Sequence, residues 1–280
     1  MGMQINTNLA ANNTYRNLAS TQTDMAKSLE RLSSGLRINR AADDAAGLAI
    51  SEGLKSQVGG LTVASRNAQD AVSVIQTAEG SLSEVQTILQ RVRDLAVQAG
   101  NGSNNAKSRD AIATEVTALG LELTRISEST NFNGTKLLNT AAAATDLTFQ
   151  IGAGGAAAAD QIAVKLTDVS AIGTAVSGLA TAGFADSTAA LATINTIDGH
   201  ITDVSTSRAS LGADQNRFES VIRNLAVSKE NLTAAGSRIR DTDMAEEMVK
   251  YTRSSILSQA GTAMLAQANQ SNQGVLSLLR

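Results

Sequence analysis

The 280-residue chain contains no cysteine, no proline, no tryptophan and one histidine. The missing cysteines exclude disulfides, thiolate catalysis and Cys-ligated zinc or iron–sulfur centres. With His200 as the single imidazole, a multi-histidine metal site would need a second chain. Proline at ordinary usage of about 5% would occur roughly 14 times. Aromatic residues are limited to Tyr15, Phe132, Phe149, Phe184, Phe218 and Tyr251, few for the large side chains that fill globular cores and ligand pockets. Charge is almost balanced, with 23 Lys and Arg against 26 Asp and Glu, so the basic excess of a nucleic-acid binder is absent. No run of 18 apolar residues exists to cross a membrane. Residues 1–23 lack a secretory signal pattern, because Asn6, Asn8, Asn12 and Asn13 interrupt any apolar run. What is abundant is alanine, and the composition is that of close-packed helices without pockets.

The apolar residues are spaced alternately three and four apart, the pattern of a coiled-coil stripe. Near the start the stripe reads Ala11, Tyr15, Leu18, Gln22, Met25, Leu29, Leu32, Leu36, broken only at Gln22. Ser33-Ser34-Gly35 invites a break, and Asp43 or Asp44 can cap a second helix. Gly59-Gly60 weakens the early part of that helix. From Leu61 the seam is unbroken through Ala64, Ala68, Ala71, Ile75, Ala78, Leu82, Val85, Leu89, Val92, Ala96 and Ala99. At 1.5 Å per residue this stretch is roughly 58 Å long, and it needs partner helices to bury so narrow a seam. A turn at 100–105 leads to a shorter helix carrying Ile112, Val116, Leu119, Leu123 and Ile126, ended by Asn131-Phe132-Asn133-Gly134.

The centre differs. Leu147, Phe149 and Ile151, then Ile162, Val164 and Leu166, alternate with their neighbours on either side of a Gly/Ala-rich loop, which predicts a β-hairpin near 147–166. The alanine runs 141–144 and 156–159 read as surface segments, and 167–186 has little periodicity. The seam returns at Ala190, Ile194, Ile197, Ile201, Val204, Arg208, Leu211, Gln215, Phe218, Ile222, Leu225, Lys229 and Leu232. Its three polar positions can fix register at a cost in stability. A last helix begins near Asp241 or Asp243, with the stripe Leu257, Ala260, Met264, Ala268, Ser271, Val275, Leu278. The expected fold is therefore mainly α: long coiled-coil hairpins or a bundle made of paired N- and C-terminal segments, with a small central β-hairpin. We expect 1–43 with 238–280 to form a terminal coiled coil and 44–237 a helical bundle bearing the hairpin. The ends are nearly uncharged: 254–279 carries no charged residue and 1–23 only Arg16. Composition leaves disordered tails and segments buried among copies both open; the heptad stripes favour assembly.

These residues resemble a known family. Leu32-Ser33-Ser34-Gly35-Leu36-Arg37-Ile38-Asn39-Arg40-Ala41-Ala42-Asp43-Asp44-Ala45-Ala46-Gly47-Leu48 is similar to the N-terminal stretch of bacterial flagellin. So are Met3-Gln4-Ile5-Asn6-Thr7-Asn8, Asn131-Phe132-Asn133-Gly134-Thr135-Lys136-Leu137-Leu138 and Val275-Leu276-Ser277-Leu278-Leu279-Arg280, in family order. The resemblance implies a flagellar filament subunit without catalysis, cofactor or metal. It implies terminal helices forming an inner tube around a channel, with the following helices and the hairpin forming an outer tube. The insert at 141–186 is short, as in a minimal flagellin without large outer domains. The implied partners are further copies of the chain, an export chaperone at the C-terminal helix, and filament cap and hook-junction proteins. The implied route is export unfolded through the flagellar type III pathway, and zero proline and zero cysteine suit fast refolding outside the cell. Filament packing then falls to Leu18, Met25, Leu29, Leu32, Leu257, Met264, Val275 and Leu278.

Gln90-Arg91-Val92-Arg93-Asp94-Leu95-Ala96-Val97 resembles the helix read by the flagellin-sensing Toll-like receptor of animals, with Arg91, Leu95 and Glu115 on the contact positions. Arg91 and Leu95, four apart, share a helix face. The plainer reading is that Leu95 widens the core stripe and Arg91 is solvated or ion-paired. The end segment 275–280 similarly resembles the part read by intracellular sensors, or simply packs in the filament. His200 reads as a surface or packing residue rather than a ligand. Asp241, Asp243, Glu246 and Glu247 read as an acidic first helical turn rather than a cation site. Gly152 to Gly155 lacks phosphate-loop spacing. Alternative readings are a hook–filament junction protein and an extracellular binding module or adhesin.

Overall fold

The computed structural model describes residues 8–278, with the side chains of Thr181 and of 271–278 outside the description. Helix α1 spans Leu9–Ser34, α2 Ala45–Ala99 and α3 Ala106–Ser129. A two-residue hairpin follows, β1 Asn131–Phe132 and β2 Thr135–Lys136. Next come α4 Thr140–Ala144, β3 Leu147–Gln150, α5 Ala157–Asp160, β4 Gln161–Val164 and α6 Val169–Ala182. Two long helices end the chain, α7 Ser187–Arg240 and α8 Met244–Leu278. The contacts divide it into a unit of residues 57–230 and a unit of residues 1–56 with 231–280.

The 57–230 unit holds nearly all of the core. Every α2 seam position from Ala64 to Ala99 is buried. Helix α7 answers with Ala190, Ile197, Val204, Leu211, Phe218 and Leu225. The polar seam position Arg208 faces α2, where its guanidinium donates to Glu79 at 2.6 Å and to Gln86. Arg93 of α2 pairs with Asp198 of α7 at 2.6 Å, so the two helices run antiparallel with ion pairs marking their register. Hairpin β3–β4 pairs Leu147 with Val164 and Phe149 with Ile162. It buries Ile162 and Val164, and Phe149 meets Phe218 edge-on at 5.7 Å. Gly59-Gly60 does not interrupt α2. A Cβ on Gly60 would lie 2.7 Å from the Ala153 Cβ, so glycine lets the hairpin loop approach the helix.

Two features escaped the sequence reading. The stretch 167–186 contains α6, capped by Asp168 and buried through Val169, Ile172 and Val176. It packs on α3 through small residues: a Cβ on Gly120 would meet Ser177 Oγ at 2.3 Å, and one on Gly173 the Thr124 Oγ1 at 2.5 Å. Asn131-Phe132-Asn133-Gly134 does more than end α3. Asn133 and Gly134 both have positive φ, 48° and 82°, and close the β1–β2 hairpin. The alanine runs form the short helices α4 and α5, neither with a buried residue.

In the other unit, α1 ends at Gly35 in the left-handed conformation (φ 71°). A short link runs to α2, which begins after Asp44, whose Oδ1 accepts from the Gly47 N–H at 2.8 Å. Asp43 instead turns back to accept from the Asn39 and Arg40 N–H groups, which hold its carboxyl below the usual range. Hydrogen bonds from Asn39 and Arg40 lower Glu30 in the same way. The Arg37 N–H donates to the Arg240 carbonyl and the Thr242 N–H to the Gly35 carbonyl, tying the link to the junction of α7 and α8. Ile38 is the one apolar side chain fully buried in this unit among the described residues.

Candidate assembly surface

Helices α1 and α8 pair antiparallel. Asn8 Nδ2 donates to the Ala268 carbonyl at 2.9 Å, Gly261 lies against Leu18, and Arg31 faces Glu247 at 3.9 Å. The inward face of α1 is Ala11, Thr14, Leu18, Thr21, Met25, Ser28 and Leu32. This corrects the expected stripe. Positions 11, 18, 25 and 32 do turn inward, but the alternate positions facing α8 are Thr14, Thr21 and Ser28. Tyr15 and Leu29 point outward, 64% and 56% exposed. A single partner helix covers only a narrow face of α1, so the flank of its apolar stripe stays open.

Helix α8 repeats this arrangement. Its inward face is Glu247, Tyr251, Ser254, Ser258, Gly261, Leu265 and Ala268. Of the stripe expected there, Ala268 turns inward, whereas Leu257 and Met264 (63% exposed) lie open beside the seam. Val275 and Leu278, also expected in packing, have side chains outside the described residues. The sequence reading missed a further row on α8. Met248, Val249 and Ile256, beside the expected Leu257, line an apolar groove of about 460 Å³ with Thr252 and Arg253. Its signal was present as apolar residues flanking, rather than occupying, the three/four stripe.

The three residues on the receptor motif are separated by burial. Arg91 of α2 and Glu115 of α3 form an exposed pair, with Glu115 Oε1 accepting from Nη2 at 2.7 Å and from Nε at 2.9 Å. Leu95 does not share their surface: it is 2% exposed and belongs to the core. With α3 and α7 both packed along α2, its buried stripe widens to take in Leu95 next to Ala96. His200 is half-buried on α7. Asp243 caps α8 by accepting from the Ala245 and Glu246 N–H groups, and no cluster suited to a metal ion occurs among the described residues. No helix among them is long and apolar enough to cross a membrane.

A family model for the bacterial flagellin N-terminal helical region matches residues 5–143, and one for the C-terminal helical region matches 194–279. The chain is 50% identical to the flagellin of Bacillus subtilis (strain 168), covering 99% of this chain and 100% of that one. It is 45% identical, with the same coverage, to the flagellar filament 33 kDa core protein of Treponema phagedenis. A putative flagellar hook-associated protein from Vibrio parahaemolyticus shares the fold, with a TM-score of 0.56 over 71% of this chain and 100% of that one, at 14% identity. The fold is thus common to filament and hook-associated proteins, and the identity over full length favours neither the junction nor the adhesin reading. Two family models flanking a short central insert, on a body of long seamed helices, make this chain a member of the bacterial flagellin family, a non-enzymatic structural subunit of the extracellular flagellar filament.

Proposed function

We propose that the open apolar flanks of α1 and α8 are completed by the same helices of neighbouring copies, and that this packing drives polymerisation. Leu29, Leu257 and Met264 are the flank residues assigned to it, with Val275 and Leu278 expected to join them, while Leu18, Met25 and Leu32, which turn inward, hold α1 against α8. The observation that carries the reading is the poverty of the terminal hairpin in buried apolar side chains, set against the exposure of Tyr15, Leu29, Ile256, Leu257 and Met264. Burying a side chain of this size contributes about 1.5–3 kcal/mol, so a few sites per subunit suffice for a stable fibre. The test is seeded growth followed by electron microscopy. Leu29→Gln combined with Met264→Gln should leave the monomer's helicity unchanged, because both side chains are exposed, yet stop elongation from filament fragments. Normal elongation of the double variant would defeat the assignment.

The finer partners follow from the same surfaces. The groove along Met248, Val249 and Ile256 supports an export chaperone holding the C-terminal helix before secretion. Cap and hook-junction proteins would meet the terminal helices at the two ends of the fibre. Arg91 and Glu115 are proposed as the exposed part of a Toll-like receptor contact, with Leu95 supporting them from the core.

A further inference from the structure

We infer that a polar groove between α1 and α8, which adjoins the apolar groove of α8 at Arg253 and Leu257, binds a protonated phosphate group. The groove has a volume of about 370 Å³ and is walled by Lys27 and Arg31 of α1 and by Lys250 and Arg253 of α8. Its two acids are Asp24 and Glu247, so cations exceed anions by two. Lys27 and Arg253 enter no ion pair among the described residues. The Arg31 guanidinium makes no hydrogen bond there, and reaches Glu247 only at 3.9 Å. Lys250 spends one donor on Glu246 at 2.9 Å and stands 3.7 Å from Glu247.

Two nearly buried polar side chains line the same groove without a hydrogen bond among the described residues. Ser28 is 6% exposed, and Glu247 is 3% exposed with Oε1 wholly enclosed and unpartnered. Buried polar groups are almost always satisfied, so an orphaned carboxylate oxygen beside unspent cationic donors needs a ligand or water to complete it. The ligand must carry negative charge for the four cations and also a proton for Glu247, because an ionised carboxylate can only accept. A carboxylate or sulfate lacks the proton. An amide lacks the charge. A metal cation is repelled by the surrounding lysines and arginines. A protonated phosphate offers acceptors to the guanidinium and ammonium groups and donates its O–H to Glu247 Oε2, the carboxylate oxygen that faces Arg31 at 3.9 Å and Lys250 at 3.7 Å. Sites built around such a buried acceptor reject analogues that cannot donate.

Titration calorimetry on the full-length, unpolymerised protein in a buffer free of both anions tests this, with inorganic phosphate, glycerol 3-phosphate and sulfate as probes. Near pH 6 phosphate should bind one per chain, and sulfate about tenfold or more weaker. Glycerol 3-phosphate separates the sources. Binding at pH 6 that falls by pH 9, where the monoester has lost its last proton, assigns a site open to phosphoryl esters. Binding of inorganic phosphate alone assigns the free ion. Glu247→Gln, which supplies a donor, should bring sulfate and phosphate to similar affinity, and Arg31→Gln should remove binding of both. Arg253→Gln, at an exposed position, should weaken binding without perturbing the helix pair, which circular dichroism checks. No saturable phosphate binding, equal binding of sulfate by the unaltered chain, or indifference to Arg253→Gln would overturn the site.

Discussion

At the residue scale, side chains that break the apolar pattern carry the specificity. Arg208 interrupts the α7 seam, and the sequence alone identifies it as a register-setting position without naming its partners. Glu79 and Gln86 lie 129 and 122 residues away in sequence, a pairing that only the folded chain reveals. Arg91 and Leu95 teach the converse. Their spacing puts them on one side of α2, but a residue one place from an alanine seam is drawn inside when two helices flank the strip. The receptor reading therefore narrows to Arg91 and Glu115, both substantially exposed. An exposed ion pair contributes about 0–1 kcal/mol, so Arg91→Ala and Glu115→Ala should barely move the thermal midpoint. Measured on cells bearing the animal receptor, each should lower the response to monomer by about tenfold or more if these side chains anchor the contact. An unchanged dose–response would remove both from it.

At the element scale, legibility followed the length of the periodic signal. Helices α2 and α7 were readable because a dozen or so three/four positions repeat, all apolar in α2 and all but three apolar in α7, and β3–β4 because two alternating runs face each other across a Gly/Ala loop. Helix α6 was obscured by composition. Gly, Ala, Ser and Thr dilute its stripe of Val169, Ile172 and Val176, although those small residues are the reason it packs so closely on α3. The α1 stripe was read as one seam when it is two half-seams, one toward α8 and one open, a division that depends on how many helices surround it. The close approach of α3 and α6 yields a sharp expectation. A methyl group on Gly173 would lie 2.9 Å from the Thr124 backbone nitrogen and 3.0 Å from the Gly120 carbonyl oxygen, neither of which can rotate away. Gly173→Ala gains helix propensity of about 1 kcal/mol but forces the helices apart at about 1–3 kcal/mol. The net effect on the urea midpoint should be a decrease with little change in slope. Gly178→Ala, where a Cβ meets nothing within 4 Å, should raise the midpoint and serves as the control.

At the scale of the whole molecule, the two units differ in what holds them. Residues 57–230 bury a continuous file of Leu, Ile, Val and Phe, whereas the terminal unit buries Ile38 and otherwise relies on half-buried contacts between α1 and α8. An isolated helix pair with so thin a seam draws little stability from packing, and helices without packing are marginal in water. Local opening free energies should therefore diverge within one chain. In the monomer, the amides of α1 and of α8 up to residue 270 should exchange with solvent orders of magnitude faster than those at the α2 seam from Ala64 to Ala99. If neighbouring copies cover Tyr15, Leu29, Leu257 and Met264 in the filament, as proposed, protection of α1 and α8 should rise there toward that of α2. The comparison separates two sources of order that a static view cannot. If α1 and α8 were already as protected in the monomer as in the polymer, their stability would be internal to the chain. Assembly would then have to be driven by surfaces of the 57–230 unit, where Val63, Val97, Leu121, Leu191 and Val227 are the exposed large apolar side chains among the described residues.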